Sequence, residues 1–471
     1  MKKVTVAFPS NSSSAMPRHW SGRIGSAAPW LCVWYYSANI LPAWIAGRWE
    51  RLLGRNRVGV IKALRCAKCG WESSSWTIFR CSSCGAVLEV LLEIENLPSA
   101  DLLEIRKRRE QTIWRWFEFF PVEDRSAIVS LGEGYTPLLH SSRLSEKLEL
   151  PRLYLKNDTL LPTGSLKDRS NSVGLSRAKE LGFSTAAVIS TGNAAASVAA
   201  YAAAAGLKSV VIVPEGTSAS KVLQAGAYGA TVVVVHGSFD NEVARLYRDA
   251  LKEFGWYDCL SSNPYRNEGK KSYAYEMLDQ LDGEIPDWVI HPTAGGTGIC
   301  AMWKGYNELG KLGWIKSLPR LIAAQSEAAA PLVRSFEKGL AEVEPVAARE
   351  TVAESIQVGN PSSLGWRALD AIRASKGTAV ALSDDAILEA QSLLAQFAGI
   401  FAEPAGAVSV AAAWKLRKQG VIGKDDLVVC NITGHGLKQP SAVRVSDEEL
   451  HPIPPTLESL REHVQRREGL D

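Results

Sequence analysis

Lys167 lies in Thr163-Gly-Ser-Leu-Lys-Asp-Arg169, at the opening of a stretch with helical spacing. There the free backbone N–H groups and the positive end of the helix dipole disfavour an ammonium. A lysine with a lowered pKa can attack an aldehyde and afterwards carry protons. Alone, a lysine near a helix start reads first as a surface charge. Three further elements follow it in chain order. Ser190-Thr-Gly-Asn-Ala-Ala-Ala-Ser197 follows a strand-like run and opens an alanine-rich helix, offering N–H groups to an anion and room for a flat ligand. A plain N-cap with tight helix packing is the alternative. Pro292-Thr-Ala-Gly-Gly-Thr-Gly298 suits a phosphate cradled by backbone amides, without the lysine of a P-loop or the spacing of a dinucleotide fingerprint. Asn431-Ile-Thr-Gly-His-Gly-Leu-Lys438 ends the last strand-like run and can aim the Thr433 hydroxyl at a buried ligand. His435, between two glycines, reads as peripheral.

A separate chemistry is written in Cys66, Cys69, Cys81 and Cys84, two Cys-x-x-Cys knuckles eleven residues apart, each followed by glycine. Four thiolates at this spacing converge tetrahedrally on Zn2+, and a site closed by four protein ligands leaves no position for catalysis. The expected ion is structural. A redox pair or unligated buried thiols are the alternatives. Such clustering points to metal ligation in a reducing compartment, hence the cytoplasm, and not to a disulfide framework.

These residues need elements to hold them. Beyond residue 131, short β-branched runs at 153–156, 186–190, 210–213 and 231–235 alternate with helical stretches at 166–181, 194–205 and 218–228. The rhythm returns at 288–291, 320–325 and 427–431. It predicts an α/β, two-lobed fold of doubly wound, mostly parallel sheets, with sites at the carboxyl ends of the strands. The smaller lobe is expected at about 170–265. The remaining divisions are a zinc ribbon at 58–97, a linker and docking segment at 98–130, a catalytic domain at 131–445 and a C-terminal arm at 446–471. Residues 98–126 read as a helix with a basic middle, Arg106-Lys-Arg-Arg109, then an aromatic docking patch. Residues 1–57 resemble nothing that follows and could reflect a start placed too far upstream.

The chain of 471 residues has a formal net charge of +3, so nothing in it announces nucleic acid or an anionic membrane surface. No apolar run with a cleavage site follows Met-Lys-Lys at the N-terminus. The Trp-rich stretch 28–47 is interrupted by prolines and makes a poor spanning helix.

Taken together, residues 131–440 resemble the β-family, or fold-type II, of pyridoxal-phosphate enzymes, and within it the threonine synthases. Leu166 stands where phenylalanine is usual in the lysine motif, Ser170 where glycine often follows the arginine, and Ala294–Gly298 replaces the common Gly-Asn-Ala-Gly-Asn. The resemblance implies that Lys167 holds pyridoxal 5'-phosphate, that Asn193 contacts its phenolic oxygen, and that Thr433 hydrogen-bonds its ring nitrogen. The loop of Ala294, Gly295, Gly296, Thr297 and Gly298 would hold its phosphate. Ser261-Ser-Asn-Pro-Tyr-Arg266 is similar to the stretch that binds the substrate phosphate, giving that role to Arg266 with Ser261 as a second donor, and Ser190 and Thr191 would also contact substrate. The implied reaction turns O-phospho-L-homoserine and water into L-threonine and phosphate, on a homodimer. Cysteate synthase, a threonine or serine dehydratase, and a non-catalytic ligand sensor on the same fold are the rival readings.

Overall fold

The computed structural model describes residues 60–94, 99–217, 219–237, 242–361, 364–443 and 452–468. The extension 1–57, including the Trp-rich stretch, lies outside the described residues. So does the start of the C-terminal arm. Among the described residues no helix is long and apolar enough to cross a membrane.

Strands β1 (Ile61–Arg65), β2 (Glu72–Ser73) and β3 (Glu89–Leu92) form an antiparallel sheet in the order β2-β1-β3. The chain turns at the two cysteine knuckles, which repeat one set of bonds. Cys66 N donates to Trp71 O and Gly70 N to Cys66 O, and Cys81 does the same with Ala86 and Gly85. So small a ribbon buries little core of its own.

Helix α1 (Ser99–Arg106) is far shorter than the helix expected to residue 126, and a 3-10 segment occupies Ile113–Phe119 with a non-helical Trp116. The reason is packing. Trp114, Trp116, Phe117, Phe119 and Phe120 are all buried, which is more than one helical face can deliver. Trp116 and Phe119 stack near Tyr275, with ring centroids at 5.5 and 4.7 Å. The aromatic patch therefore docks within its own chain. The basic run is divided, with Arg106 paired to Asp279 and Arg108 to Glu118 while Lys107 and Arg109 are exposed.

From β4 (Leu138–His140) the chain runs through α2 (Ser142–Leu148), β5 (Leu153–Asn157) and α3 (Lys167–Glu180). The smaller lobe follows as β6 (Thr185–Ile189), α4 (Asn193–Ala205), β7 (Lys208–Pro214), α5 (Ala219–Ala227), β8 (Thr231–Val235), α6 (Ala244–Phe254) and β9 (Tyr257–Asp258). Its four strands are parallel, in the order β8-β7-β6-β9. Helices α7 (Pro264–Glu268) and α8 (Ser272–Gln280) return to the larger lobe, where β10 (Trp288–Pro292), α9 (Thr297–Lys311), β11 (Arg320–Ser326), α10 (Pro331–Glu337), α11 (Gly365–Ala374), β12 (Thr378–Leu382), α12 (Asp384–Ala398), α13 (Pro404–Lys418) and β13 (Val428–Ile432) complete the sheet. Its order is β12-β11-β10-β13-β5-β4, parallel except for the edge strand β4. Every residue of β10 and β13 is buried, as strands covered on both faces must be. Helix α14 (Leu457–Glu468) is the last element.

Beneath the lysine turn lies a balanced charge network. Arg169 donates to both oxygens of Asp158 at 2.8 Å and to Ser272 at 2.7 Å, and Lys156 meets Glu276 at 2.7 Å. Arg169 also pairs with Glu276, and all four charged side chains are fully buried. Burial alone would raise both carboxyls, but the Arg169 charge overrides it and holds them below the usual range. Removing one partner of such a set costs about 3–5 kcal/mol.

Candidate active site

Four loops leave the carboxyl ends of parallel strands and meet. The turn before α3 is stitched to the loop after β13, with Leu166 N donating to Thr433 O and His435 N to Gly164 O, both at 2.9 Å, and a bridge between Ser165 and Gly434. Asp168 anchors the same turn to α4. Its carboxylate accepts from Thr163 Oγ1 and Ser197 Oγ at 2.6 Å and from Thr163 N at 2.7 Å. Burial pushes this carboxyl up to about 6. The cleft between the loops has Lys167, Lys270, His291, Thr297, Glu403 and Thr433 in its wall.

The Lys167 ammonium makes no hydrogen bond or ion pair with a described residue. Burial lowers its pKa below that of an ordinary lysine, Glu403 opposes the shift and Arg266 reinforces it. Glu403, the one acid in the wall among the described residues, accepts from the Asn193 amide at 3.0 and 3.1 Å and from Ser355 Oγ at 3.2 Å. Its own carboxyl is pushed up by burial. Thr433 is a buried residue of the cleft wall, and its hydroxyl has no hydrogen-bond partner among the described residues.

The glycine loop opens α9. The N–H groups of Thr297, Gly298 and Ile299 precede the first helical bond, Cys300 N to Gly296 O at 3.1 Å, so no helical carbonyl takes them. Gly296 has φ 94°, and a Cβ there would meet the Cβ of Ala368 at 2.5 Å. A Cβ on Gly298 would meet His291 Nε2 at 2.1 Å. Burial, aided by Lys270 and Lys167, takes His291 down to about 3, so it is neutral at physiological pH. A partnerless lysine amine, a free hydroxyl in the cleft wall and a cradle of unpaired N–H groups fit the aldehyde, ring nitrogen and phosphate of pyridoxal phosphate.

Not every expected residue reaches the cleft. Arg266 is buried in the groove left by Gly174, where a Cβ would stand 2.4 Å from its Cγ, and its Nε donates to Asn171 at 2.7 Å. It has no carboxylate partner among the described residues, and its charge bears on Lys167 and Lys270. Ser261 is exposed, while Ser262 is buried and donates to Asp258 at 2.8 Å. Ser190 and Thr191 are half-buried at the end of β6, outside the cleft wall, and Ser190 Oγ accepts from Gly192 N at 3.3 Å. Asn193 reaches the cleft through Glu403 and Ser355. Sequence reasoning missed Glu403, Ser355, His291 and Lys270. Two carried a signal, since Glu403-Pro404 is a lone acid ahead of an alanine-rich helix and His291 interrupts an apolar strand.

Away from the cleft, the Sγ atoms of Cys66, Cys69, Cys81 and Cys84 lie within 4.8 Å of one another. The Cys66–Cys84 and Cys69–Cys81 separations are both 3.5 Å. Tetrahedral zinc with bonds of about 2.3 Å implies sulfur separations near 3.8 Å.

The family described as pyridoxal-phosphate dependent enzyme matches residues 129–434. The threonine synthase of Methanocaldococcus jannaschii is 43% identical over 388 residues, 82% of this chain and 95% of the relative. That of Methanosarcina acetivorans is 40% identical over 85% of this chain and 98% of its own. Among solved structures, maize serine racemase superposes with TM-score 0.56 at 21% identity, covering 71% of this chain and 93% of its own. Threonine deaminase isoform 2 of Solanum lycopersicum gives 0.56 at 19%, covering 75% and 92%. These two carry the fold alone. By its matched segment and its relatives, the chain belongs to the pyridoxal-phosphate dependent enzymes, and within them to the threonine synthase family.

Proposed function

We propose that this chain converts O-phospho-L-homoserine and water to L-threonine and phosphate, with pyridoxal 5'-phosphate held at Lys167. One observation carries the choice of substrate. Lys167 and Lys270 line one cleft, the Arg266 charge bears on both, and among the described residues the cleft wall holds one carboxylate, Glu403. A buried excess of positive charge is stabilised by anions, and a phosphorylated cofactor with a phosphorylated amino acid supplies them.

When bound, the cofactor supplies an electron sink for the substrate carbanion. The chain does the rest. Ala294, Gly295, Gly296, Thr297 and Gly298 would hold the phosphate, Asn193 would contact the phenolic oxygen and Thr433 the ring nitrogen. Lys167 Nζ, its pKa lowered by burial, takes the α-proton as general base. The Arg266 fork matches the oxygens of the leaving phosphate. Ser190 and Thr191, half-buried at the end of β6, and Ser261, exposed after β9, are further contacts for the substrate.

Arg266→Leu should raise the KM for O-phospho-L-homoserine about 100-fold, while the visible absorbance of the bound cofactor persists. A dehydratase acting on threonine or serine needs no phosphate site. An unchanged KM would therefore remove the substrate assignment.

We further propose that the four thiolates hold one structural Zn2+ in a ribbon, residues 58–97, that joins through 98–130 to a catalytic domain, 131–445, and an arm, 446–471. The ribbon leans on the segment that carries Arg266: Tyr265 Oη donates to Trp76 O at 2.9 Å, and Phe79 meets the Tyr265 ring edge-on at 5.9 Å. Cys66→Ser should leave less than one zinc per chain and lower the melting temperature by at least about 5 °C, because a structural site adds folding free energy outright. Metal analysis and calorimetry on one preparation check both. The reading places the enzyme in the reducing cytoplasm as a homodimer, with neither nucleic acid nor membrane as partner.

A further inference from the structure

We propose that Lys270 is a phosphate-binding residue, its ammonium the counter-charge of the phosphate seated in the glycine loop. The inference rests on the reading of residues 294–298 as the cofactor's phosphate loop and adds to it a charged side chain from another element.

Lys270 is 7% exposed, and its Nζ donates to Thr297 Oγ1 at 2.6 Å. No carboxylate among the described residues pairs with it. Its neighbours are built differently. Lys271, fully buried, meets Glu268 at 2.6 Å and Glu308 at 3.0 Å, and Lys156 meets Glu276 at 2.7 Å. Of these three buried lysines, Lys270 alone lacks a carboxylate. Burial, with the cations Lys167 and Arg266 and against a smaller opposing effect of Cys300, holds its pKa well below that of an ordinary lysine. In a cleft without an anion, an apolar side chain of similar volume would be the more stable choice at this position.

The position of the amine identifies the anion. Thr297 is the first residue of α9 and lies between Gly296 and Gly298, where the unpaired N–H groups converge. Its hydroxyl is the sole side-chain donor that the loop Ala294–Gly298 offers. Lys270 Nζ sits within hydrogen-bond distance of that hydroxyl and lines the same cleft. A phosphate on these N–H groups would receive from Lys270 a charge-assisted bond that neutral amides do not provide. One short segment thus carries both Lys270 and Arg266, the residue proposed above for the substrate phosphate.

The test uses the full-length chain stripped of cofactor, titrated with pyridoxal phosphate and separately with pyridoxal, which lacks the phosphate. Visible absorbance reports binding to the wild type, Lys270→Met and Lys270→Arg. The wild type should prefer the phosphorylated form. Lys270→Met should lose about 10- to 100-fold of that preference with its pyridoxal affinity unchanged, and Lys270→Arg should recover part of it. Without ligand, Lys270→Met should melt no lower than the wild type, since a buried unpaired charge has gone. Lys270→Gln carries the same titration if the methionine variant does not fold. A preference kept in full by Lys270→Met or Lys270→Gln overturns this inference alone. A wild type that binds both forms equally overturns the loop reading and the inference with it.

Discussion

Lys167→Ala should lose the visible absorbance of the bound cofactor and lower kcat by at least about 10⁴-fold, because one amine both anchors the cofactor and moves the α-proton. The fold should not suffer. Lys167 Nζ has no hydrogen bond or ion pair with a described residue, so its loss strands only Glu403, which keeps the bonds from Asn193 and Ser355. Lys167→Arg should fail as well, since a guanidinium stays charged and cannot attack an aldehyde. Borohydride reduction followed by peptide mass analysis should place the cofactor on Lys167 in the wild type and nowhere in the variant. A variant that keeps both absorbance and turnover contradicts the assignment.

The largest structural effect is expected from Gly269→Ala. Gly269 has φ −58° and ψ −28°, which any residue adopts, so its backbone conformation is not the issue. Space is. A Cβ would stand 1.9 Å from the carbonyl oxygen of Arg169 and 3.1 Å from the Cα of Ser170. Both are backbone of α3, so no side-chain rotation relieves the clash, and the helix bearing Lys167 and Arg169 must shift. Overpacking against backbone costs about 3 kcal/mol or more, and a displacement of about 1 Å in the lysine costs about 100-fold in rate. The variant should melt well below the wild type and lose activity even where it is folded. Calorimetry and kcat at low temperature measure the two effects separately, and a melt within 2 °C of wild type, by about the scale of a surface change, contradicts the packing described.

What could be read from sequence was whatever is local. The cysteine knuckles are defined by spacing over a few residues, and the turns at 163–167, 294–298 and 433 by glycine and hydroxyl chemistry directly after a strand. The β-branched runs of β6, β7 and β8 stand out between turn residues. Thr378-Ala-Val-Ala-Leu382 did not, because two alanines dilute the β signal between long helical patterns, and β9 is only two residues. Aromatic packing, a tertiary effect, ended the helix expected to run to residue 126. At the site the same limit applies more sharply. Lys270 and Lys271 are adjacent and chemically identical, yet one meets two carboxylates and the other meets a threonine hydroxyl. Ser261 and Ser262 differ by one step in a turn, and that step decides which is buried. Glu403 enters the cleft only because Glu403 N bonds to Gly434 O at 2.9 Å, across the loop that holds Thr433.

The central claim is the choice of substrate, and one measurement addresses it directly. The enzyme loaded with cofactor is offered O-phospho-L-homoserine, O-phosphoserine with sulfite, and threonine in separate reactions, and released phosphate and amino-acid products are quantified. The charge arrangement of Lys167, Lys270 and Arg266 with the family membership predicts phosphate and L-threonine in equal amounts from the first, and no turnover of the other two. Cysteate from the second, or ammonia and a keto acid from the third with no threonine from the first, would contradict it.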